Sequence, residues 1–344
     1  MSRWRKQEQV RRGPVGMDVG RDEVRLVQLA VERGRTHVLA LASCPTPPEA
    51  FSAAGAPLVA PVLVDRLRTL VEQYGWLGAD CVVAAAGPRL VAAEVALAGE
   101  GTPEHQAREA LARRLTYPVS EALVGCEVLP GGGAALVWAL PAAAVSGAVA
   151  LAEAAGLAPV VAEFAPFALA WSQVDSAAGR GCWLALDLGA AHTSATLLLH
   201  GEVAASTARP GGGRELTTDL ARRLEYDLPA AEALKRDAAA WSPESASVEP
   251  AVRAAMHQAL ARCVEQLVTD VRQAGAVDGV LLHGGGALLA GLREALAVAS
   301  GVRVVVADPF AGLGVAREAL PPRAVATAPA WALAWGLAAR GLAE

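Results

Sequence analysis

The feature that most constrains this chain is a strand-turn-strand pattern that occurs twice. Apolar runs at residues 15–19 and 24–31 flank a turn that contains glycine, and a third run follows at 36–42. Short apolar runs between turn residues are typical of a β-meander. About 170 residues later the same order returns at 182–187, 193–200 and 202–207. We therefore predict an internally duplicated α/β chain in which one meander opens each half.

Helices are predicted between and after the meanders. Leucine and valine spacing predicts a helix at 62–74, and Thr102 is expected to cap a polar helix at 102–115. The small and polar residues at 175–181 favour a boundary between the two halves. A final helix is predicted at 324–340, which ends near the C-terminus.

Composition excludes several classes of function. The formal net charge of -5 gives no general attraction to phosphate backbones, and basic residues are concentrated only in a leader at 1–13. We therefore expect no binding of nucleic acid. The five cysteines are widely spaced and the six histidines are dispersed, which predicts no zinc site and structural or surface roles for the histidines. The longest uncharged run, at 128–152, is interrupted by two prolines and a triple glycine, so no membrane span is expected.

Three glycine-containing turns are the candidate ligand sites. Asp18 and Gly20 end the first strand of one meander, and Asp187 and Gly189 do the same in the other. Such turns present backbone N–H groups to a phosphate, and an aspartate at the end of a strand can hold hydrated Mg²⁺. A single turn of this kind is usually only structural, whereas two copies in matched halves favour a ligand site. The third turn is the glycine triplet at 284–286, between a predicted strand and helix.

This combination resembles the actin-like ATPase superfamily along nearly the whole chain. The resemblance implies a two-lobed, ribonuclease H-like α/β fold that binds ATP and Mg²⁺ in a cleft between the lobes. Asp18 and Asp187 are then the metal ligands and, together with Glu163, the candidate catalytic residues. The implied nucleotide-binding residues are Gly20, Gly189, Thr193, Gly212, Gly213, Glu232, Lys235, Gly284, Gly285 and Gly286. For Lys235, a solvated helical lysine is the alternative interpretation.

Within that superfamily the chain is most similar to the PilM family of type IV pilus assembly. The similarity rests on five strings: 15–20 (VGMDVG), 24–29 (VRLVQL), 163–169 (EFAPFAL), 211–217 (GGGRELT) and 307–310 (ADPF). It implies a flexible basic leader at 1–13, a first lobe at 14–174 with a small inserted α+β subdomain at about 87–158, a second lobe at 175–323, and a helix at 324–341 that returns to the first lobe.

The resemblance predicts a cytoplasmic scaffold or switch of the type IV pilus alignment complex. Its partner would be the N-terminal tail of a PilN-like inner-membrane protein, which recruits it to the inner face of the inner membrane. The tail is expected in an apolar groove framed by the helix at 102–115 and the strands at 90–97 and 123–129. The alternative is a small-molecule kinase or other phosphotransferase of the same fold.

One departure from the superfamily concerns the first turn. Arg21, Asp22 and Glu23 follow Gly20, where small hydroxyl residues are usual. Carboxylates beside a triphosphate would repel it, unless they point away or bind metal. We therefore expect ATP binding with hydrolysis that is at most slow, and whether ATP is hydrolysed at all stays open.

Overall fold

The structure is a computed structural model that describes residues 10–97, 101–173, 179–237 and 249–343, without the side chains of 314 and 315. Residues 1–9 of the predicted leader and 175–178 of the predicted boundary lie outside the described residues. The chain divides into two compact units. Unit 1 comprises Met1–Ala85, Ala144–Ser172 and Pro309–Glu344, and unit 2 comprises Ala86–Ala143 and Gln173–Asp308.

The secondary structure of the described residues is as follows. The strands are β1 (Arg11–Val19), β2 (Glu23–Glu32), β3 (Arg35–Pro45), β4 (Asp80–Ala85), β5 (Val91–Ala96), β6 (Ala122–Val128), β7 (Ala134–Pro141), β8 (Ala158–Phe164), β9 (Cys182–Leu188), β10 (His192–Leu199), β11 (Glu202–Pro210), β12 (Gly279–His283) and β13 (Val304–Val306). The helices are α1 (Pro61–Gln73), α2 (Pro103–Ala112), α3 (Ala142–Ala154), α4 (Ala165–Trp171), α5 (Gly213–Leu224), α6 (Leu228–Arg236), α7 (Pro250–Ala274), α8 (Leu292–Ser300), α9 (Pro322–Ala326) and α10 (Ala332–Leu342). No helix among them is both long and apolar enough to cross a membrane.

Unit 1 is built on a mixed sheet with the strand order β3-β2-β1-β4-β8. β1, β2 and β3 form the predicted antiparallel meander, and β4 and β8 are added in parallel. One face of the sheet is covered by α1 and α3, whose Leu63, Leu67 and Leu151 are fully buried against Met17 and Leu26. Burial of large side chains of this kind is the main stabilising contribution to such a unit.

The opposite face of this sheet is covered by α10 at very short range. A Cβ atom added to Gly16 of β1 would lie 2.3 Å from the carbonyl oxygen of Ala334. A Cβ atom added to Gly336 of α10 would lie 1.7 Å from the carbonyl oxygen of Ala168 in α4. These two glycines therefore let α10 pack against backbone rather than against side chains.

Unit 2 contains an eight-stranded sheet with the order β13-β12-β9-β10-β11-β5-β7-β6. Its first five strands repeat the order of the unit 1 sheet, since β9, β10 and β11 correspond to β1, β2 and β3. This correspondence confirms the internal repeat that the two meanders predicted. α7 and α8 cover one face, where Leu267, Leu292 and Leu296 are buried against Leu186 and Leu282.

The remaining strands of unit 2 differ from the expected arrangement. β5 pairs with β11, so β5, β6 and β7 extend the sheet of unit 2. The predicted insert at 87–158 is thereby divided, because α3 and β8 pack and pair within unit 1. Ala107 and Leu111 of α2 are fully buried against these strands, which fills the space in which the sequence predicted a groove.

Proline accounts for two local differences from the predicted elements. The C-terminal segment is a short α9, a 3-10 turn at Ala328–Trp331 and then α10, instead of one helix. Pro329 lies in that turn, where its missing N–H and its ring interrupt a continuous helix. Proline is favoured at the first position of a helix, which predicts a helix from Pro141 to Gly156. Pro141 instead ends β7 opposite Ala122, and α3 begins at Ala142.

Candidate functional site

The two predicted phosphate turns share one close approach of the backbone. Each joins the first two strands of a meander and runs from a glycine to a residue three positions later. A Cβ atom on Gly20 would lie 2.6 Å from the carbonyl oxygen of Glu23, and one on Gly189 would lie 2.9 Å from that of His192. Because real Cβ atoms do not come so close to a carbonyl oxygen, both turns require glycine at this position.

In unit 2, backbone N–H groups at the start of α5 donate hydrogen bonds to two carbonyl groups of the turn. The N–H of Gly213 donates to the carbonyl of Gly189 at 2.9 Å, and the N–H of Arg214 donates to that of Ala190 at 2.8 Å. Within the described part of the chain, the N–H groups of Ala190 and Ala191 have no acceptor. Two adjacent N–H groups without acceptors are a suitable binding site for an anion.

A wide-open cavity of about 380 Å³, closer to a surface depression than to an enclosed pocket, lies beside this turn. It is lined by Ala190, Ala191, Pro210, Gly211, Gly212, Arg214 and Glu215. Arg214 brings a permanent positive charge, while Glu215 brings a negative one. The combination of turn N–H groups and a guanidinium fits a phosphate group better than an uncharged ligand.

The structure gives Thr193 and Gly212 structural roles next to that cavity. Thr193 is buried, and its hydroxyl donates to the carbonyl of Gly211 at 3.0 Å. A Cβ atom on Gly212 would lie 2.4 Å from the carbonyl oxygen of Gly189. Both residues therefore hold the segment after β11 against the turn.

Glu232 and Lys235 are brought together with Gly213 in a network between α5 and α6. The Lys235 Nζ donates to the carbonyl of Gly213 at 3.0 Å and to the hydroxyl of Thr217 at 2.9 Å, and it lies 2.7 Å from a Glu232 carboxylate oxygen. Thr217 also donates to Glu232. Sequence reasoning missed Thr217, although it lies one helical turn after Gly213.

The charge state of Glu232 follows from this network. Burial by itself raises the pKa of the carboxyl group, but hydrogen bonds from Lys235, Thr217 and Arg236 outweigh it and lower the pKa to about 2. Glu232 is therefore ionised at neutral pH, and Lys235 is paired rather than merely solvated. This arrangement contradicts the alternative interpretation of Lys235.

The glycine triplet at the end of β12 packs against the end of β9. Gly284 has a φ of +78°, and a Cβ atom on it would lie 2.5 Å from an Asp187 carboxylate oxygen. A Cβ atom on Gly286 would lie 2.7 Å from the Leu188 Cβ. Gly285 has no atom within 4 Å of its Cβ position, so it is the member of the triplet that is open to a ligand.

His283 precedes the triplet and was not singled out by sequence reasoning. It lies opposite Asp187 in the parallel pairing of β12 and β9. The side chain is fully buried, and neither ring nitrogen has a hydrogen-bond partner among the described residues. Burial lowers the pKa of the imidazole to about 4, so the ring is neutral at pH 7. The buried ring agrees with the structural role that the sequence predicted, but its two nitrogens are unsatisfied among the described residues.

In unit 1, Asp18 and Glu163 lie at the carboxyl ends of β1 and β8. β4 separates these two strands, which places their axes about 10 Å apart. One oxygen of Glu163 accepts a hydrogen bond from the Nε of Arg340 in α10 at 2.9 Å, and the other accepts from the N–H of Phe164. Glu163 is therefore held at both oxygens and anchors α10 to the sheet.

The charged residues after Gly20 are engaged within unit 1. Glu23 forms ion pairs with Arg25 at 2.7 Å and with Arg323 at 2.5 Å. The guanidinium of Arg21 lies 4.5 Å from the centre of the Phe51 ring. Two cations therefore offset the charge of Glu23, which removes the main reason for expecting it to repel a phosphate.

Comparison with solved structures shows the fold. The chain is 24% identical to a chain of the PilM-PilN type IV pilus biogenesis complex, with a TM-score of 0.80 over 96% of this chain and 98% of that one. It is 16% identical to the ethanolamine utilization protein EutJ from Carboxydothermus hydrogenoformans, with a TM-score of 0.58 over 95% and 89%. A third match is the activator of the 2-hydroxyisocaproyl-CoA dehydratase from Clostridium difficile with bound ADPNP, at 13% identity and a TM-score of 0.50 over 98% and 95%. The expected actin-like α/β fold is thereby confirmed.

A comparison with protein families is more specific than these structural similarities. The family model described as type IV pilus assembly protein PilM matches residues 16–342, which is nearly the whole chain. The match spans both duplicated meanders, the glycine triplet and α10. The chain therefore belongs to the PilM family of type IV pilus assembly proteins.

Proposed function

We propose that this protein is a nucleotide-binding scaffold of the type IV pilus machinery that binds ATP and the cytoplasmic tail of a PilN-like membrane protein. Its family places it in type IV pilus assembly. The observation that carries the proposal of ATP binding is the anion site of unit 2. There the N–H groups of Ala190 and Ala191 lie beside Arg214 and an open cavity.

The residues of unit 2 are suited to different parts of a nucleotide. The turn N–H groups and Arg214 would bind phosphate oxygens, and the open backbone at Gly285 would admit the nucleoside. Among the described residues, no group of three or more acidic, histidine or cysteine side chains could hold a metal ion. In unit 2, Asp187 at the end of β9 would hold Mg²⁺ that keeps most of its water ligands, and the ion would neutralise phosphate charge. In unit 1, Asp18 has the equivalent position at the end of β1.

Slow hydrolysis is supported by the environment of Glu163. A carboxylate that activates water must be able to accept its proton. The Arg340 guanidinium and the Phe164 N–H occupy both carboxylate oxygens. Glu163 would have to leave this ion pair before it could act on water, so we propose binding with little turnover.

Titration with labelled ATP and Mg²⁺ tests the proposal. We expect the wild type to bind and Asp187→Ala to bind at least about tenfold more weakly, because a buried charge-assisted contact contributes more than 1.4 kcal/mol. Asp65→Ala, an exposed change on α1, should leave affinity within about twofold. Turnover should stay well below the ~1 to 1000 per second of ordinary enzymes. Turnover at such rates without a partner would contradict the scaffold, and dependence on a small molecule would favour the kinase alternative.

For the PilN tail we propose an edge of the unit 2 sheet. α2 covers one face of β5, β6 and β7. β6 is the last strand of the sheet, and among the described strands it pairs only with β7. Leu123 and Val128 of β6 are 49% and 46% exposed. An extended peptide could add to this edge and place apolar side chains on those residues. Such a contact would recruit the protein to the inner face of the inner membrane and to the alignment complex.

Binding of a labelled PilN N-terminal peptide tests this edge. We expect Leu123→Asp to weaken binding at least about tenfold, because a charge replaces an apolar contact. Leu77→Asp is the matched control, since Leu77 is 75% exposed and belongs to unit 1. If Leu77→Asp abolishes binding and Leu123→Asp does not, the tail binds to unit 1 instead.

A further inference from the structure

The charge of this chain is distributed very unevenly. The first twelve residues carry a formal charge of +4, from five basic residues and Glu8. Because the whole chain carries -5, all the residues that follow carry -9. The fold determines which other basic side chains lie near Arg11 and Arg12, the described part of this segment.

The strand register brings two further arginines to the start of β1. Arg11 and Arg12 lie opposite the last residues of β2, in the pairs Arg11 with Val31 and Arg12 with Ala30. The turn between β2 and β3 follows at once and contains Arg33, with Arg35 at the start of β3. All four arginines are exposed. At about 4.8 Å between strands and 3.3 Å per residue, they lie within roughly 15 Å of one another. We call these four residues the basic strand end.

Little negative charge opposes the basic strand end within its own segments. Residues 10–12 and 32–39 contain one acidic residue, Glu32, beside the four arginines and His37. Arg11 also donates a hydrogen bond to the carbonyl of Leu342. Two aliphatic side chains in the same segments are exposed, Val10 at 48% and Leu39 at 40%. The surface is therefore both cationic and partly apolar.

We propose that the basic strand end binds directly to a membrane surface that contains anionic phospholipids. Basic side chains near such a surface each contribute attraction, and the basic strand end supplies four of them. The remaining charge of the chain is negative, so the attraction to an anionic membrane comes from this end and not from the protein's net charge. The exposed aliphatic side chains favour lipid over nucleic acid, because they gain by entering the interfacial region. This contact requires neither nucleotide nor a partner protein.

Co-sedimentation of the full chain with lipid vesicles tests this inference. Vesicles of equal parts phosphatidylglycerol and phosphatidylcholine are compared with vesicles of phosphatidylcholine alone, at low salt and at ~0.15 M salt. We expect binding only to the anionic vesicles, with weaker binding at higher salt. The double variant Arg33→Glu/Arg35→Glu should bind at least about tenfold more weakly. Arg113→Glu/Arg114→Glu makes the same charge change at two exposed residues after α2 and should match the wild type within about twofold.

The outcomes separate lipid binding from its alternatives. Arg33→Gln/Arg35→Gln, which adds no negative charge, should show an intermediate loss, with unchanged circular dichroism. Wild-type affinity in the Arg33→Glu/Arg35→Glu variant would overturn the proposal, as would a failure of the wild type to bind anionic vesicles at low salt. Tighter binding to duplex DNA or RNA than to the anionic vesicles would also overturn it and assign the surface to nucleic acid.

Discussion

Gly336→Ala is expected to destabilise unit 1 by about 2 kcal/mol or more. Alanine favours an exposed helix over glycine by about 1 kcal/mol, so propensity alone predicts the opposite sign. The added Cβ atom would lie 1.7 Å from the Ala168 carbonyl oxygen, and ordinary contact begins near 3.4 Å. A backbone oxygen cannot rotate away, so α10 and α4 must separate. Overpacking costs about 1–3 kcal/mol and sometimes more, and a backbone approach this close belongs at or above the upper end of that range. A cost of about 3 kcal/mol or more, less the gain of about 1 kcal/mol in helix propensity, leaves the expected net loss of about 2 kcal/mol or more.

Urea denaturation of the variant and the wild type measures this effect. Gly133→Ala is the matched control, because Gly133 has no atom within 4 Å of its Cβ position and no positive φ. That change should alter the free energy of unfolding by less than about 0.5 kcal/mol. A Gly336→Ala protein more stable than the wild type would show that helix propensity decides the outcome and that α10 does not pack on α4 at this range.

The wild type is expected to lose stability as the pH falls below 6.5, and His283→Met is expected to abolish most of that loss. The folded-state pKa of about 4 lies below the ordinary value of 6.5, so between these values the unfolded chain binds the proton and the folded chain does not. The stability of the folded wild type is therefore complete above pH 6.5 and falls as the pH drops toward 4. The shift of about 2.5 units corresponds to up to about 3 kcal/mol, of which about 2 kcal/mol is lost by pH 5. Methionine has similar volume and no titrating group.

The free energy of unfolding at several pH values between 7 and 5 tests this prediction in metal-free protein. The lowered pKa of Glu232 affects stability only below its ordinary value of 4.5, outside the window. His257→Met, an exposed change on α7, should keep the pH dependence of the wild type. If the free energy of unfolding of His283→Met depends on pH as strongly as that of the wild type, His283 is not the source of the pH dependence.

Local patterns predicted much of the fold. The alternation of apolar runs and turns located both meanders, and the order of the two sheets confirms that they are duplicated. Thr102 caps α2 as expected, because its hydroxyl accepts the N–H of His105. Gly20 and Gly189 are needed at their turns because the strand that follows returns too closely for a side chain. Each of these features depends on residues that are near one another in the chain.

The candidate site was predicted only in part. The sequence indicated the turn glycines, Asp18, Asp187 and the pair Glu232 and Lys235. It did not indicate Thr217, the acceptor-free N–H groups of Ala190 and Ala191, or the buried ring of His283. Ala190 and Ala191 could not be recognised from the sequence, because they contribute only their backbone N–H groups. The direction of those groups is set by the turn and not by the type of side chain.

The sequence by itself determined most of the secondary structure and the duplication, since hydrophobic periodicity, turn glycines and caps act over a few residues. Only the tertiary structure decided which strands share a sheet and which charges are paired. β5 joins β11 across more than 100 residues, Glu163 meets Arg340 and Glu23 meets Arg323. Such contacts join chain segments that are distant in sequence. No local pattern specifies which strand pairs with a given strand edge, or which cation pairs with a given carboxylate.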